Sequence, residues 1–322
     1  MTAAAPRPRR RRRTVIPAEV RNLPALPGPP DDAAPAEHVR ALLDTQLRLL
    51  VAHDEGTRAG ADPEDLHRMR VAVRRIRAVL RAAHPVLAPD WGDELRTELG
   101  WLGRALGPVR DLDVLLEHLR VLVDDLPEAE RAAAERLLAG LAAEREQARE
   151  HMLTALSDRR YPALLRRLAA AVREPLPGPE DGDGPDLTGL VRRQYRALRR
   201  RATALARDPA GAEDDELHRI RIASKRLRYV AELATPVMGK RAAKLARAAR
   251  RLQDLLGEHQ DAVVAEQHLR RLVTDPERVD PADPLVAFVA GRLVEQERAR
   301  RATCRERWWR AWRKVDRRAR RV

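Results

Sequence analysis

The sequence predicts an all-α protein built from two related halves, and three observations carry that expectation. The chain is rich in Ala, Leu, Val and Arg, has only 16 Gly in 322 residues and contains no β-rich run, so helix is favoured throughout. A basic segment, Leu66-His67-Arg68-Met69-Arg70-Val71-Ala72-Val73-Arg74-Arg75-Ile76-Arg77, returns 151 residues later as Leu217-His218-Arg219-Ile220-Arg221-Ile222-Ala223-Ser224-Lys225-Arg226-Leu227-Arg228. Proline-rich stretches separate the two halves from each other and from the N-terminal segment.

Residues 1–35 combine arginines at 7 and 9–13 with Pro17, Pro24, Pro27, Pro29, Pro30 and Pro35, a composition expected to give a flexible basic arm. The arginines run into Thr-Val-Ile-Pro-Ala-Glu rather than an apolar segment, so no export signal is expected and the protein is predicted to stay in the cytoplasm. The first half, 36–174, is predicted to hold helices near 37–54, 64–84, 90–106, 109–125, 128–156 and 159–173. Asp62-Pro63-Glu64 opens the second of these, Pro85 and Pro89 close it, and Gly107-Pro108 is expected to split the third from the fourth. A Pro/Gly linker follows over 175–187. The second half, 188–322, is predicted to hold helices near 188–207, 214–234, 240–256, 259–273 and 284–318. Further blocks match at nearly the same offset: His84-Pro85-Val86-Leu87 with Thr235-Pro236-Val237-Met238, Leu106-Gly107-Pro108-Val109-Arg110-Asp111 with Leu256-Gly257-Glu258-His259-Gln260-Asp261, and His118-Leu119-Arg120 with His268-Leu269-Arg270. Such constancy implies internal duplication, and two similar helical bundles about a pseudo-twofold axis are the expected architecture.

Charge points to the partner. Sixty-three Lys and Arg against 49 Asp and Glu leave a formal +14, which suits a polyanion. Only Lys225, Lys240, Lys244 and Lys314 are lysines; a GC-rich genome explains that bias as well as function does, but it does not explain where the charges cluster. A single cysteine, Cys304, excludes an internal disulfide and any Cys-based zinc site. No apolar run approaches the length of a membrane span.

The clustering is sharpest in the repeated segment. At 100° per residue, His67, Arg70, Arg74, Arg77 and Arg81 fall within about 80° of arc, beside the apolar arc of Leu66, Met69, Val73, Ile76 and Leu80. No acid occurs from His67 to Arg81, so the i±3 and i±4 pairs that ordinarily offset such charge are missing. The stripe recurs as His218, Arg221, Lys225 and Arg228, with Arg226 just off it as Arg75 is in the first copy. A merely solvated basic face gives no reason for this register to be kept twice. A metal site at the histidines is disfavoured, because neither has His or a carboxylate at i+3 or i+4 and the neighbouring arginines repel cations. The second half adds two stripes, Lys240, Lys244, Arg247 and Arg251, and Arg192, Arg196 and Arg199. Turned inward they would strengthen the anion site on that half; the alternative is a surface stripe compensated by acids elsewhere.

The duplicated His-x-x-Arg-x-x-x-(Arg/Lys)-Arg-x-Arg pattern, with Leu-Gly-x-x-x-Asp downstream in each half, resembles the CHAD domain, the conserved histidine α-helical domain, over about residues 36–315. The resemblance implies two bundles enclosing a basic groove, binding of inorganic polyphosphate, and association with intracellular polyphosphate granules. Carried over by position, it implies a groove lined by His67, Arg70, Arg74, Arg75 and Arg77 on one side and His218, Arg221, Lys225, Arg226 and Arg228 on the other. Arg81, Arg196, Lys240, Lys244, Arg247 and Arg251 are secondary candidates. Relatives that carry a CYTH triphosphatase domain hold catalytic metal on a Glu-x-Glu-x-Lys strand motif; this chain has neither that motif nor room for the domain, so binding without hydrolysis is implied.

An enzyme is not expected, since no phosphate-cradling glycine loop, activated nucleophile or metal-ligand cluster is found, and no cofactor is implied. Asp111 and Asp261 recur in both halves and are read as buried partners of basic residues. The competing reading is a nucleic-acid-binding protein, for instance one that binds RNA. It draws on the arginine arm and on Trp308-Trp309-Arg310-Ala311-Trp312-Arg313-Lys314, although Trp308 and Trp312 at i, i+4 are expected to pack on the bundle. The basic runs at 7–13 and 298–321 lack the apolar face that membrane insertion requires.

Overall fold

The computed structural model describes residues 16–179, 184–205, 207–274 and 283–322. Among these residues the chain is all-α, with eleven α-helices, one 3-10 turn at His84–Val86 and no strand. In the first half these are α1 (Ala18–Arg21), α2 (Pro35–Ala52), α3 (Asp54–Ala59), α4 (Pro63–Ala82), α5 (Pro89–Asp124), α6 (Glu128–Ser157) and α7 (Arg160–Arg173). The second half contributes α8 (Leu187–Ala204), α9 (Asp214–Leu233), α10 (Thr235–Thr274) and α11 (Pro284–Ala319).

Helix starts follow local chemistry. The Asp62 carboxylate accepts the Glu64 amide at 2.8 Å while Pro63 occupies the first helical position of α4, where no N–H is needed. A Glu213/Glu216 capping box opens α9, and Asp283 accepts the amides of Leu285 and Val286 at the start of α11.

Two expected breaks are absent. Gly107-Pro108 does not divide the third helix of the first half from the fourth, because α5 runs unbroken through Pro108; nor does α10 break near 257. An interior proline costs about 3 kcal/mol and leaves one carbonyl without its helical donor. Here Leu102, Leu106, Val109 and Leu116 bury the flanking turns on one face, and that packing outweighs the local penalty. The break in α10 lies instead at Gly239, whose φ of 56° only glycine adopts readily, so the regular helix begins at Lys240.

The main core crosses from one half to the other: Leu43, Ile76 and Leu99 belong to the same buried cluster as Leu227, Leu252 and Trp308. A second cluster, including Leu119, Leu137, Leu269 and Leu293, joins the far ends of α5, α6, α10 and α11. Part of the expected arm is tied down, because Val20 and Leu23 enter the main core and the Glu19 carboxylate accepts from Arg166 Nε at 2.7 Å. The arginines at 7 and 9–13 lie outside the described residues, as do residues 180–183 of the linker; before them Leu176 is buried, and the Pro177 carbonyl accepts the Ala88 amide at 2.8 Å.

Trp308 and Trp312 pack on the bundle as expected. Both are buried, the Trp308 indole N–H donates to the Pro209 carbonyl at 2.8 Å, and Trp312 stacks on Tyr195. Trp308→Ala is therefore expected to cost about 3–5 kcal/mol in urea unfolding, and Trp309→Ala, on the half-buried flank, well under half of that.

Candidate functional site

A cavity of about 1040 Å³ opens between the halves, lined by α4, α5, α6, α9, α10 and α11. The basic stripe of α4 delivers His67, Arg70 and Arg74 to it, and the repeated stripe of α9 delivers His218, Arg221 and Lys225. Both stripes reach the cavity for the reason legible in the pattern: they adjoin the core-facing arc, so burying Met69, Val73, Leu217 and Ile220 turns the neighbouring bases into the seam.

Each half meets its stripe with the same device. Arg70 Nη1 donates to Asp111 Oδ1 at 2.6 Å and to the Gly107 carbonyl at 3.2 Å. In the second copy the Arg221 guanidinium lies beside Gly257, where a Cβ would be in ordinary contact with its Nε at 3.7 Å, and Asp261 faces it. The Leu-Gly-x-x-x-Asp block thus supplies one counter-charge per arginine. Asp111 and Asp261 are not buried, contrary to expectation; both keep surface open to the cavity, although the protein packed around the recessed Asp261 carboxyl partly desolvates it and raises it above its usual range.

Positive charge nevertheless dominates. Eight Arg and Lys side chains line the cavity against three acids, Asp111, Glu144 and Asp261. Arg74, Arg104, Arg110 and Lys225 form no ion pair among the described residues, and the Nε–H groups of Arg74, Arg110 and Arg221 are buried without an acceptor there. Such donors cost about 1–3 kcal/mol each when left unmade. The strain shows in the titrating groups. Burial, reinforced by Arg221, Arg74, Arg70 and Arg228, pushes Lys225 down to about 7. Burial and then Arg74 and Arg70 also lower Arg221.

Five of the nine histidines line this one cavity: His67, His118, His151, His218 and His268. His218 and His67 have different neighbours despite equivalent positions. His218 Nδ1 lies 2.6 Å from the Gln260 side-chain oxygen, whereas His67 faces Arg110 and is lowered by burial and then by that guanidinium. The pair His118 and His268 reach across the halves reciprocally. His118 Nε2 lies 2.5 Å from Glu297 on α11, and His268 lies beside Glu144 on α6, with its proton affinity lowered by burial and by Arg271. Among the described residues no three His, Cys, Asp or Glu side chains form a group able to hold a metal ion.

The CHAD domain family model matches residues 41–270. The chain belongs to the CHAD family. Two uncharacterized proteins of Mycobacterium tuberculosis, MT2285 and Rv2226, are each 32% identical over 294 residues. Those alignments cover 89% of this chain and 55% of either relative, so the chain spans about half the length of the curated proteins it matches. Among solved structures, the CHAD domain from the plant Ricinus communis superposes with a TM-score of 0.65 at 29% identity, covering 88% of this chain and 92% of that one. PptA from Streptomyces chartreusis shares the fold, with a TM-score of 0.69 at 21% identity over 87% of this chain and 100% of that one.

Within this CHAD fold the motif's basic residues divide. Arg75 and Arg228 do not line the cavity: one residue, or about 100°, beyond Arg74 the helix points toward Glu232, and Arg75 Nη2 pairs with that carboxylate at 2.7 Å. Arg228 lies 3.6 Å from Glu232 and over the Tyr229 ring, and Arg250 approaches Glu232 at 3.8 Å. Arg77 lies outside the cavity lining, over Gly100 and Gly103 beside Arg96 and Arg104; Arg226 sits near Arg81, Arg201 and Arg96. Arg196, Lys240, Lys244, Arg247 and Arg251 are exposed and absent from the lining, so they do not strengthen the second wall. Their helices bury the opposite faces through Leu198, Leu245 and Leu252, which forces the bases outward. Sequence reasoning missed Arg104, Arg110, His118, His151, His268, Arg271 and Arg300. The matching His118 and His268 blocks carried a signal; Arg104, His151 and Arg300 carried none.

Glu232 is shared by Arg75 of the first half and by Arg228 and Arg250 of the second. Glu232→Gln is expected to destabilise the protein by about 2 kcal/mol, measured as a lowered urea midpoint, because it leaves partly buried guanidinium groups unpaired.

Proposed function

We propose that this CHAD protein binds inorganic polyphosphate in the cavity between its halves, without hydrolysing it, and that it associates with polyphosphate granules in the cell. The observation that carries the proposal is the convergence of His67, Arg70 and Arg74 with His218, Arg221 and Lys225 on one open space, with bases in excess and several donors lacking a protein acceptor. Polyphosphate offers charge and oxygen acceptors along its whole length and no bases to read, which matches a lining of guanidinium groups. The family's link to polyphosphate supports the same reading.

Nucleic acid fits the site less well. Single strands are ordinarily held by stacking on aromatics. The cavity lining contains no aromatic residue, and Trp308 and Trp312 are in the core. No helix of the described residues is long and apolar enough to cross a membrane.

Titration with polyphosphate should separate the walls. Arg70→Glu and Arg221→Glu, with folding checked by circular dichroism, are each expected to weaken binding at least about tenfold and to flatten its salt dependence, as loss of a phosphate contact does in nucleic-acid binding. Unchanged affinity in both variants would sink the assignment. RNA competing as well as long-chain polyphosphate would favour the alternative.

Affinity is also expected to fall as pH rises from 6 to 8. Lys225, held at about 7 in the free protein, gains charge when an anion approaches, so binding takes up a proton and is strongest where the lysine is already ionised. His67 and His268, both lowered in the free protein, add to the same trend at the acidic end. Lys225→Met should remove the portion of the pH profile centred near 7; an unaltered profile counts against it.

A further inference from the structure

The cavity leaves unexplained the most basic outer surface on α10. From Lys240 to Gln253 this helix carries six bases and no acid, the same imbalance that marks α4. Lys240, Lys244, Arg247 and Arg251 fall within about 60° of arc and are all exposed. None forms an ion pair among the described residues, whereas Arg250, one residue round the helix, reaches Glu232 at 3.8 Å. The nearest acid along the helix, Asp254, pairs with none of them.

We propose that this outer stripe is a second polyphosphate site, so that one chain holds two polyphosphate strands; the identity of the ligand rests on the reading of the cavity given above. The two sites are separate in space. The cavity-lining residues of α10 begin at Gln260 and centre about 20 residues beyond the stripe, which is about 30 Å along the axis and more than a quarter-turn around it. A short polymer seated in the cavity therefore cannot reach the stripe, but a long strand can occupy each.

The local electrostatics favour an anion. The regular helix begins just after Gly239, so Lys240, Arg241 and Lys244 crowd its positive macrodipole end, where acids are normally favoured and none is present. An occupying anion relieves both that conflict and the i, i+4 and i, i+3 repulsion along the stripe. The exposed arc holds no aromatic platform for stacking bases, which argues against single-stranded RNA. The apolar face of the helix is already committed to the core through Ala242, Leu245, Ala249 and Leu252, which leaves nothing to insert into a lipid surface. A bivalent binder links strands, so the stripe gives the protein the capacity to condense long polyphosphate and not only to coat it.

The test uses the full chain and a variant with Lys240→Gln, Lys244→Gln, Arg247→Gln and Arg251→Gln, all exposed positions, with circular dichroism as the folding control. Calorimetric titration with a polyphosphate too short to bridge the two sites should show two equivalents on the parent and one on the variant. Light scattering on mixing with long-chain polyphosphate should fall at least tenfold in the variant. Two equivalents and full scattering in the variant would overturn the proposal, as would an outer site that takes single-stranded RNA but not polyphosphate. Arg70→Glu serves as the reciprocal control: it should lose the cavity equivalent and keep the outer one. Retention of both by Arg70→Glu refutes the cavity reading alone.

Discussion

The arrangement depends on a repulsion that the protein builds in and does not discharge. The basic stripes of α4 and α9 border the arcs that must be buried, so closing the core drives His67, Arg70, Arg74, Arg221 and Lys225 toward one another. No acid stands between His67 and Arg81 or between His218 and Arg228, and within the cavity Asp111 and Asp261 supply only one counter-charge per half to Arg70 and Arg221. The apolar part of what keeps the seam closed is a cluster that passes from Leu43 and Ile76 through Leu227 and Leu252 to Trp308 without a gap between halves. The lowering of Lys225 and Arg221 is the residue of this conflict, and an anion is the natural species to relieve it.

Adjacent arginines in the motif perform opposite tasks for a geometric reason. Arg74 and Arg75 differ by about 100° around the helix, enough to send one into the cavity and the other to Glu232 across the seam. In the second copy Lys225 enters the cavity while Arg228 closes on Glu232 and Tyr229. The basic motif therefore contains both the charge that pushes the halves apart and part of the clasp that holds them, and losing a base from it alters the charge of the cavity or the stability of the fold according to its angle.

Much of this was legible because helix periodicity converts sequence spacing directly into a face. The position of α4 and α9, the opening of α4 at Asp62-Pro63 and the burial of Trp308 and Trp312 followed from local pattern. Pro108 misled because its local cost was visible and the packing of Leu106, Val109 and Leu115 around it was not. The remaining cavity lining was hidden for a similar reason. Arg104, His151 and Arg300 lie on three helices distant in sequence, and only the crossing of those helices brings them together. The outward direction of Lys240, Lys244, Arg247 and Arg251 was decidable only once the apolar arc of α10 was seen to face the core.

The two walls of the cavity are matched in number but not in kind. Each half contributes four of the eight Arg and Lys side chains, so the second wall is not the stronger one. Arg110 in the first wall stands where the second has Gln260, which removes a charge beside His218 and gives that ring a hydrogen-bond acceptor. Arg74 in the first stands where the second has Lys225, and a guanidinium stays charged across the physiological range while this ammonium, at about 7, does not. The basic groups of the first wall are thus all guanidinium, whereas the second wall includes one group, Lys225, whose charge depends on whether an anion is near. The electrostatic cost of one of the eight bases, Lys225, is in this way deferred until there is an anion to offset it.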